Sequence, residues 1–321
     1  AGTGAGAKRA RKYPNARPSA PAAMLRSLAL ALLSGHAYGM DLPINPALGV
    51  PGYPDCVQTG PITGDVEANA RTLRCGRPPR PGGNSRITIG CVGDSITAGA
   101  HSSGPNATYP AQLQQMLDKE YPDQYEVTNL GAGGTTMLKD GNEPYWNSSQ
   151  FTAFAQGQWD IVVVMLGTND AKDVGNGGPP NWPHDEREYV DSKFGEDYRA
   201  MISVAKGLGR AGVLANVFVA VPPPLMQASV YGMNQTVINS VFPTLIPKIA
   251  LKYLKTTPID VFTALGGTPD WETTFPKGCT LKDAKTAGCA DFCDAQSCDQ
   301  CHPNDNGYGV LAAAVKAGLR L

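Results

Sequence analysis

The sequence predicts a doubly wound α/β fold: a five-stranded parallel sheet with helices on both faces, in three layers. Short apolar runs alternate with stretches of helical periodicity, which is the βαβ pattern. One of those runs, Ile161–Leu166, is apolar at every position, as suits a strand buried on both faces. Glycine (37) and proline (27) are abundant, which suggests long shaped loops on a compact scaffold.

The first strand is Ile87–Val92. A helix follows over Tyr109–Glu120, where Leu113, Met116 and Leu117 recur at helical spacing. The second strand lies near Tyr125–Leu130, and the third, Ile161–Leu166, is preceded by Trp159-Asp160. A helix covers Phe194–Gly207. The fourth strand, Val213–Val221, is stopped by Pro222-Pro223-Pro224. A long helix over Thr236–Leu254 carries Pro243 and Pro247, where it would bend. A short strand, Ile259–Phe262, completes the sheet, and after a Cys-rich loop an Ala-rich helix, Tyr308–Leu319, closes the chain. In such sheets ligands bind at the carboxyl ends of the strands, so chemistry is to be sought just after them.

The segment ahead of this alternation has another character. Residues 1–23 hold Gly, Ala, Pro and basic residues with no apolar period and read as a disordered extension. Met24–Gly39 has a basic residue (Arg26), an apolar stretch (Leu28–Leu33), and Ala37 and Gly39 spaced like a cleavage site. That is a signal-peptide pattern, weighed against a short buried segment of the mature chain. On this reading the chain divides into residues 1–39, a Pro/Gly-rich extension over 40–85 with Cys56 and Cys75, and a main domain over 86–321. The sequons at Asn106, Asn147 and Asn234 agree with a secreted glycoprotein.

Composition narrows the function. The chain has 321 residues, 42% of them hydrophobic and 17% charged, which rules out disorder of the whole. Lys plus Arg number 27 and Asp plus Glu 28, so the basic excess of a nucleic-acid binder is missing. No apolar run reaches the roughly 18 residues needed to span a bilayer.

Of the eight cysteines, five crowd the end: Cys279, Cys289, Cys293, Cys298 and Cys301. In a secreted chain these read as disulfides, and Cys91, inside an apolar strand, as a buried free thiol. Two other readings compete. Cys298-Asp-Gln-Cys301-His302 matches a c-type haem attachment pattern, and the same cluster could ligate zinc.

Four short motifs follow strands. Gly93-Asp94-Ser95 places a serine at a strand-to-helix turn, where it can act as a nucleophile or simply cap a helix. Asn129-Leu130-Gly131-Ala132-Gly133-Gly134-Thr135 offers backbone that can approach a ligand closely. Gly167-Thr168-Asn169-Asp170 carries an amide able to donate to a developing negative oxygen. Asp299-x-x-His302-Pro303 sets a carboxylate where it can orient an imidazole. The chain has only three other histidines: His36 in the signal-like segment, His101 close to Ser95, and His184 in a Pro/Gly insert. Each motif alone has an ordinary explanation as a turn or cap; the four in this order do not.

Together they resemble the SGNH hydrolase superfamily, also called GDSL esterases, over residues 86–321. The resemblance implies a flavodoxin-like sheet and ester hydrolysis through an acyl-enzyme, with no metal and no cofactor. Carried over position by position, it makes Ser95 the nucleophile, His302 the general base and Asp299 its orienting acid. The oxyanion hole would be the N–H of Ser95, the N–H of Gly134 and the side chain of Asn169. The G-x-S-x-G elbow of the α/β-hydrolases is not matched, since Thr97 stands at its last glycine. Cys301, between Asp299 and His302, departs from the family pattern, and a disulfide through Cys301 or Cys298 would pin that loop. The stretches LGTNDAK and PYW resemble the carbohydrate O-acetylesterase branch, implying an acetylated polysaccharide or oligosaccharide as substrate. Tyr145, Trp146 and Trp182 are the aromatic candidates for stacking on sugar, weighed evenly against a core or interface role for the tryptophans. The insert Asp173–Glu188 is polar, whereas a lipase would favour an apolar lid. The runner-up is a lipolytic or aryl-ester esterase, and a non-catalytic binding protein or a metal or haem module is the remote alternative.

Overall fold

The structure is a computed structural model that describes residues 56–58, 73–75, 86–173, 180–182, 190–210, 213–274, 279–283, 285, 288–294 and 297–321. The signal-like segment, His36, His184 and most of the insert expected at 173–188 lie outside the described residues. The chain divides into two units, Ala1–Pro78 and Pro79–Leu321. In the first, β1 (Cys56–Gln58) and β2 (Leu73–Cys75) pair antiparallel with Cys56 opposite Cys75.

The second unit holds a parallel sheet of five strands: β3 (Ile87–Gly93), β4 (Tyr125–Gly131), β5 (Ile161–Met165), β6 (Asn216–Val221) and β7 (Ile259–Asp260). Their order is β4-β3-β5-β6-β7, with every neighbouring pair parallel. Counted within this sheet, the first strand lies between the second and the third. The order therefore reverses there, which is the doubly wound arrangement with its switch point beside β3.

Burial on both faces follows from the strand sequences. Along β5, Ile161, Val163 and Met165 enter one core and Val162 and Val164 the other. The first core is covered by α2 (Tyr109–Glu120) and α8 (Asp305–Leu319), through Leu113, Leu117, Leu311 and Val315. The second is covered by α3 (Ser149–Gln156), α4 (Lys193–Gly207) and α5 (Phe242–Leu254), through Phe154, Met201, Ile202, Leu245 and Ile249. Removing each such side chain from water contributes roughly 1.5–3 kcal/mol. Side-chain caps fix the helix starts: Thr108 accepts from Ala111 N, Ser148 from Phe151 N, Ser192 from Gly195 N and Asn304 from Gly307 N.

Four elements differ from the sequence expectation, among them α8, which starts at Asp305 behind its Asn304 cap rather than at Tyr308. Strand β6 starts at Asn216 rather than Val213, because Val213 and Leu214 stand 70% and 67% exposed outside the sheet. Strand β7 ends at Asp260, whose carboxylate caps the short helix α6 (Val261–Ala264) by accepting from Thr263 N. Val261 and Phe262 are thus apolar because they are buried in a helical turn, not in a strand. The long helix is interrupted by a π turn at Val237–Val241. Pro243 falls in the first turn of α5, where no N–H is needed, and Pro247 lies inside it. Two helices were not read from the sequence: α3, and the single turn α7 (Trp271–Thr274).

Candidate active site

Ser95 opens the four-residue helix α1 (Ser95–Ala98) directly after β3. Asp94 caps that helix by accepting from Ile96 N at 2.9 Å. Burial pushes the Asp94 carboxyl up to about 6, against the Ile96 bond. The turn rests on the next strand so tightly that a Cβ at Gly131 would stand 2.1 Å from Ala98 N, and only glycine fits there. Ser95 itself is half-buried, its hydroxyl turned toward the carboxyl-terminal loop.

That loop brings the late motif to the first. Ser95 Oγ lies 2.9 Å from His302 Nε2, and His302 Nδ1 lies 3.0 Å from Asp299 Oδ2. The other carboxylate oxygen, Oδ1, accepts the backbone N–H of Cys301 and of His302, each at 2.8 Å. Burial alone would raise the Asp299 carboxyl; hydrogen bonds from the His302 side chain and backbone and from Cys301 N outweigh it and hold Asp299 well below the usual range. The ring and the carboxylate are only 11% and 10% exposed, so this pair is shielded from water.

Gln300, buried, anchors the loop. Its amide donates to Cys279 O and accepts from Cys279 N, while its backbone carbonyl accepts from Met226 N. Disulfides join Cys279 to Cys289 and Cys293 to Cys298, the latter one residue ahead of Asp299. Cys91 is a buried free thiol, as expected, pushed up to about 12 by burial. Among the described residues Cys301 is also a free cysteine, so the loop is tied through Cys298 and not through Cys301.

Asn169 follows β5 in a 3₁₀ turn, Thr168–Ala171. It is 2% exposed; its amide donates to Thr135 O at 3.2 Å, and its backbone carbonyl accepts from Asn181 Nδ2. Asp170 ties this turn to the loop after β4, accepting from Met137 N and Leu138 N at 2.9 and 2.7 Å. Gly134 has φ +78°, a left-handed conformation suited to glycine. Its neighbour Gly133 approaches Ser95 closely: a Cβ there would stand 3.9 Å from Ser95 Cβ. The loops after β3, β4 and β5 and the carboxyl-terminal loop therefore form one cluster.

Two of the three aromatic candidates are enclosed. Tyr145 is fully enclosed and gives its hydroxyl to Leu130 O. Trp182 is 6% exposed, packed edge-on against Phe194 and Phe242. Neither presents a face to solvent. Trp146 is half-buried, donating to Met137 O with Lys139 above its ring at 4.3 Å. His101 meets Ser297 Oγ rather than Ser95. One residue in contact with the Asp299–His302 pair carried no sequence signal. Tyr231, in a loop after the proline run, donates its hydroxyl to Asp299 Oδ2 at 2.8 Å. Among the described residues, no cluster of three or more His, Cys, Asp or Glu is placed to hold a metal.

The pattern of the GDSL-like Lipase/Acylhydrolase family matches residues 91–310. A stretch of 121 residues is 36% identical to an acetylxylan esterase of Xylanibacter ruminicola. That stretch is 37% of this chain and spans only 22% of the relative's length. One solved structure aligns over 74% of this chain and 98% of its own at 18% identity, with a TM-score of 0.50, a likeness of fold. The acetyl xylan esterase AlAXEase aligns over 73% of this chain and 100% of its own at 21% identity, with a TM-score of 0.48.

Proposed function

The chain belongs to the GDSL-like lipase/acylhydrolase family, and on that premise we propose that it is a serine esterase. It removes short acyl groups, acetyl above all, from carbohydrate through an acyl-enzyme. The observation that carries this reading is the unbroken hydrogen-bond chain from Ser95 Oγ through His302 to Asp299.

In this mechanism His302 Nε2 takes the Ser95 proton as Oγ attacks the ester carbonyl. Asp299 holds the Nδ1–H tautomer and stabilises the imidazolium that forms. Negative charge develops on the carbonyl oxygen, where the N–H groups of Ser95 and Gly134 and the Asn169 amide receive it. The imidazolium then protonates the departing alcohol. Water, deprotonated by the same nitrogen, releases the acid and restores Ser95.

The substrate class is supported by the 36% identical stretch shared with a protein named acetylxylan esterase. Polar sequence in the insert at 173–188 fits a hydrophilic ester better than a lipid. The same reading takes 86–321 as the catalytic domain and 40–85 as an extension of a secreted protein. Two disulfides support an oxidising compartment. Asn106 and Asn147 are exposed and open to glycosylation, whereas the Asn234 amide is already engaged with Asp173 and with the helix start. No helix among the described residues is long and apolar enough to cross a membrane.

Acetate release from acetylated xylan, run beside p-nitrophenyl acetate, butyrate and palmitate, tests the proposal. Turnover should fall steeply with acyl length and vanish in Ser95→Ala. Preference for palmitate would make the protein lipolytic, and no hydrolysis of any ester would overturn the reading.

A further inference from the structure

We propose that Tyr231 is a positioning residue for the Asp299–His302 pair, holding the carboxylate through its phenolic hydroxyl. The proposal rests on the Ser95 reading above and adds to it a residue that none of the four motifs contains.

Two contacts join Tyr231 to the pair from one side. Its hydroxyl donates to Asp299 Oδ2 at 2.8 Å, the same oxygen that receives His302 Nδ1–H. Its ring meets the imidazole edge-on, centroid to centroid at 5.4 Å. Asp299 thus receives two donors on each oxygen, and only the one from Tyr231 comes from outside its own loop. A carboxylate fixed at four points cannot swing away from the imidazole. The Asp299 bond, with a smaller contribution from burial, pushes the phenol up to about 12, so the hydroxyl stays a donor at any working pH.

The backbone around Tyr231 is built for this contact. Tyr231 has φ +52° and Ser229 φ +59°, left-handed conformations that non-glycine residues adopt only where the surroundings impose them. Those surroundings are present. Asp173 N donates to Gly232 O, Asn234 N donates to Ala171 O, and the turn closes through Gly232 N to Ser229 O and Met233 N to Val230 O. Buried Met233 then rests against the Cys301 thiol, with the sulfurs 3.9 Å apart. The turn is therefore held between the segment that follows Asn169 and the loop that carries His302. At 57% exposed, Tyr231 contributes little to the core, so burial of its side chain does not account for where it points.

Tyr231→Phe in the full chain tests this, since it keeps the ring and removes the donor. With an acetyl ester, kcat should fall about tenfold, because Oδ2 keeps the imidazole donor and loses one charge-assisted bond. KM should stay within about twofold and the fold should remain intact by circular dichroism. In an Asp299→Asn background the same substitution should cost little further, because the carboxylate charge that Tyr231 steadies against the imidazole is gone. An unchanged kcat, a loss confined to KM, or an equal loss in both backgrounds would overturn the proposal. Ser95→Ala run alongside separates the failures. Turnover that survives it overturns the Ser95 reading and this proposal together. Turnover abolished by it, with Tyr231→Phe unaffected, overturns this proposal alone.

Discussion

Replacing Asp299 by asparagine changes one atom, and the structure dictates what that atom does. The carboxylate receives four donors: Cys301 N and His302 N on Oδ1, His302 Nδ1 and the Tyr231 hydroxyl on Oδ2. An amide has one oxygen. If its NH₂ took the Oδ1 place it would face two backbone N–H groups at 2.8 Å, neither able to turn. The oxygen therefore stays at Oδ1, and the NH₂ faces Tyr231 and the imidazole. The Tyr231 hydroxyl can rotate and accept. The imidazole can satisfy the NH₂ only with a bare Nδ1, which moves its proton to Nε2. Nε2 then points a proton at Ser95 Oγ, 2.9 Å away, and cannot accept one. The productive tautomer becomes a minor species and the imidazolium loses its counter-charge, so kcat should fall about 10³–10⁴-fold with little change in KM. Steady-state hydrolysis of p-nitrophenyl acetate measures it. The effect on stability has a definite sign. Asp299 titrates lower in the fold than in the unfolded chain, so its charge stabilises the fold above about pH 4 and that contribution is lost as pH falls. The Tm deficit of Asp299→Asn should be full at pH 7 and narrow on acidification. A variant that keeps kcat within about tenfold of the parent would refute the tautomer argument.

Two further outcomes are expected. Asn169→Ala should lower kcat by about 10²-fold with KM nearly unchanged, since the amide acts on charge present only in the transition state; a defect confined to KM would remove it from the oxyanion hole. Reduction of the Cys293–Cys298 bridge, which closes a loop of sequence separation 5 and contributes about 2 kcal/mol, should lower kcat before near-UV circular dichroism is lost. Full activity after reduction would show that Gln300 and the backbone hold the loop without it.

What could be read from the sequence follows the range of the interactions involved. β5 was legible because a strand buried on both faces must be apolar throughout, and Ile161–Met165 is. Helix α2 was legible to the residue because its stripe and its cap are local. The start of β6 was not, since Val213 and Leu214 are apolar yet exposed. The end of β7 was not, since Val261 and Phe262 read as strand while Asp260 caps them into a helix. The same divide runs through the site. Ser95, Asn169 and the Asp299–His302 pair each sit in a short motif, so position along the chain marked them as candidates, and the structure joins Ser95, His302 and Asp299 by hydrogen bonds. Tyr231 and Asp299 are 68 residues apart, and no local pattern marks the tyrosine. Trp182 shows the opposite failure. Its neighbours in sequence are polar, which suggested a rim, but its ring packs edge-on against Phe194 and Phe242, which stack on each other, so the core alternative holds.

The central claim is that Ser95 carries the acyl group. A fluorophosphonate, followed by peptide mass spectrometry, measures this most directly, with rapid-quench detection of an acetylated peptide during turnover of an acetyl ester. The account predicts stoichiometric phosphonylation of the peptide containing Ser95, transient acetylation at the same residue, and neither modification in Ser95→Ala. Modification at another residue, or hydrolysis that persists after Ser95 is fully blocked, would contradict it.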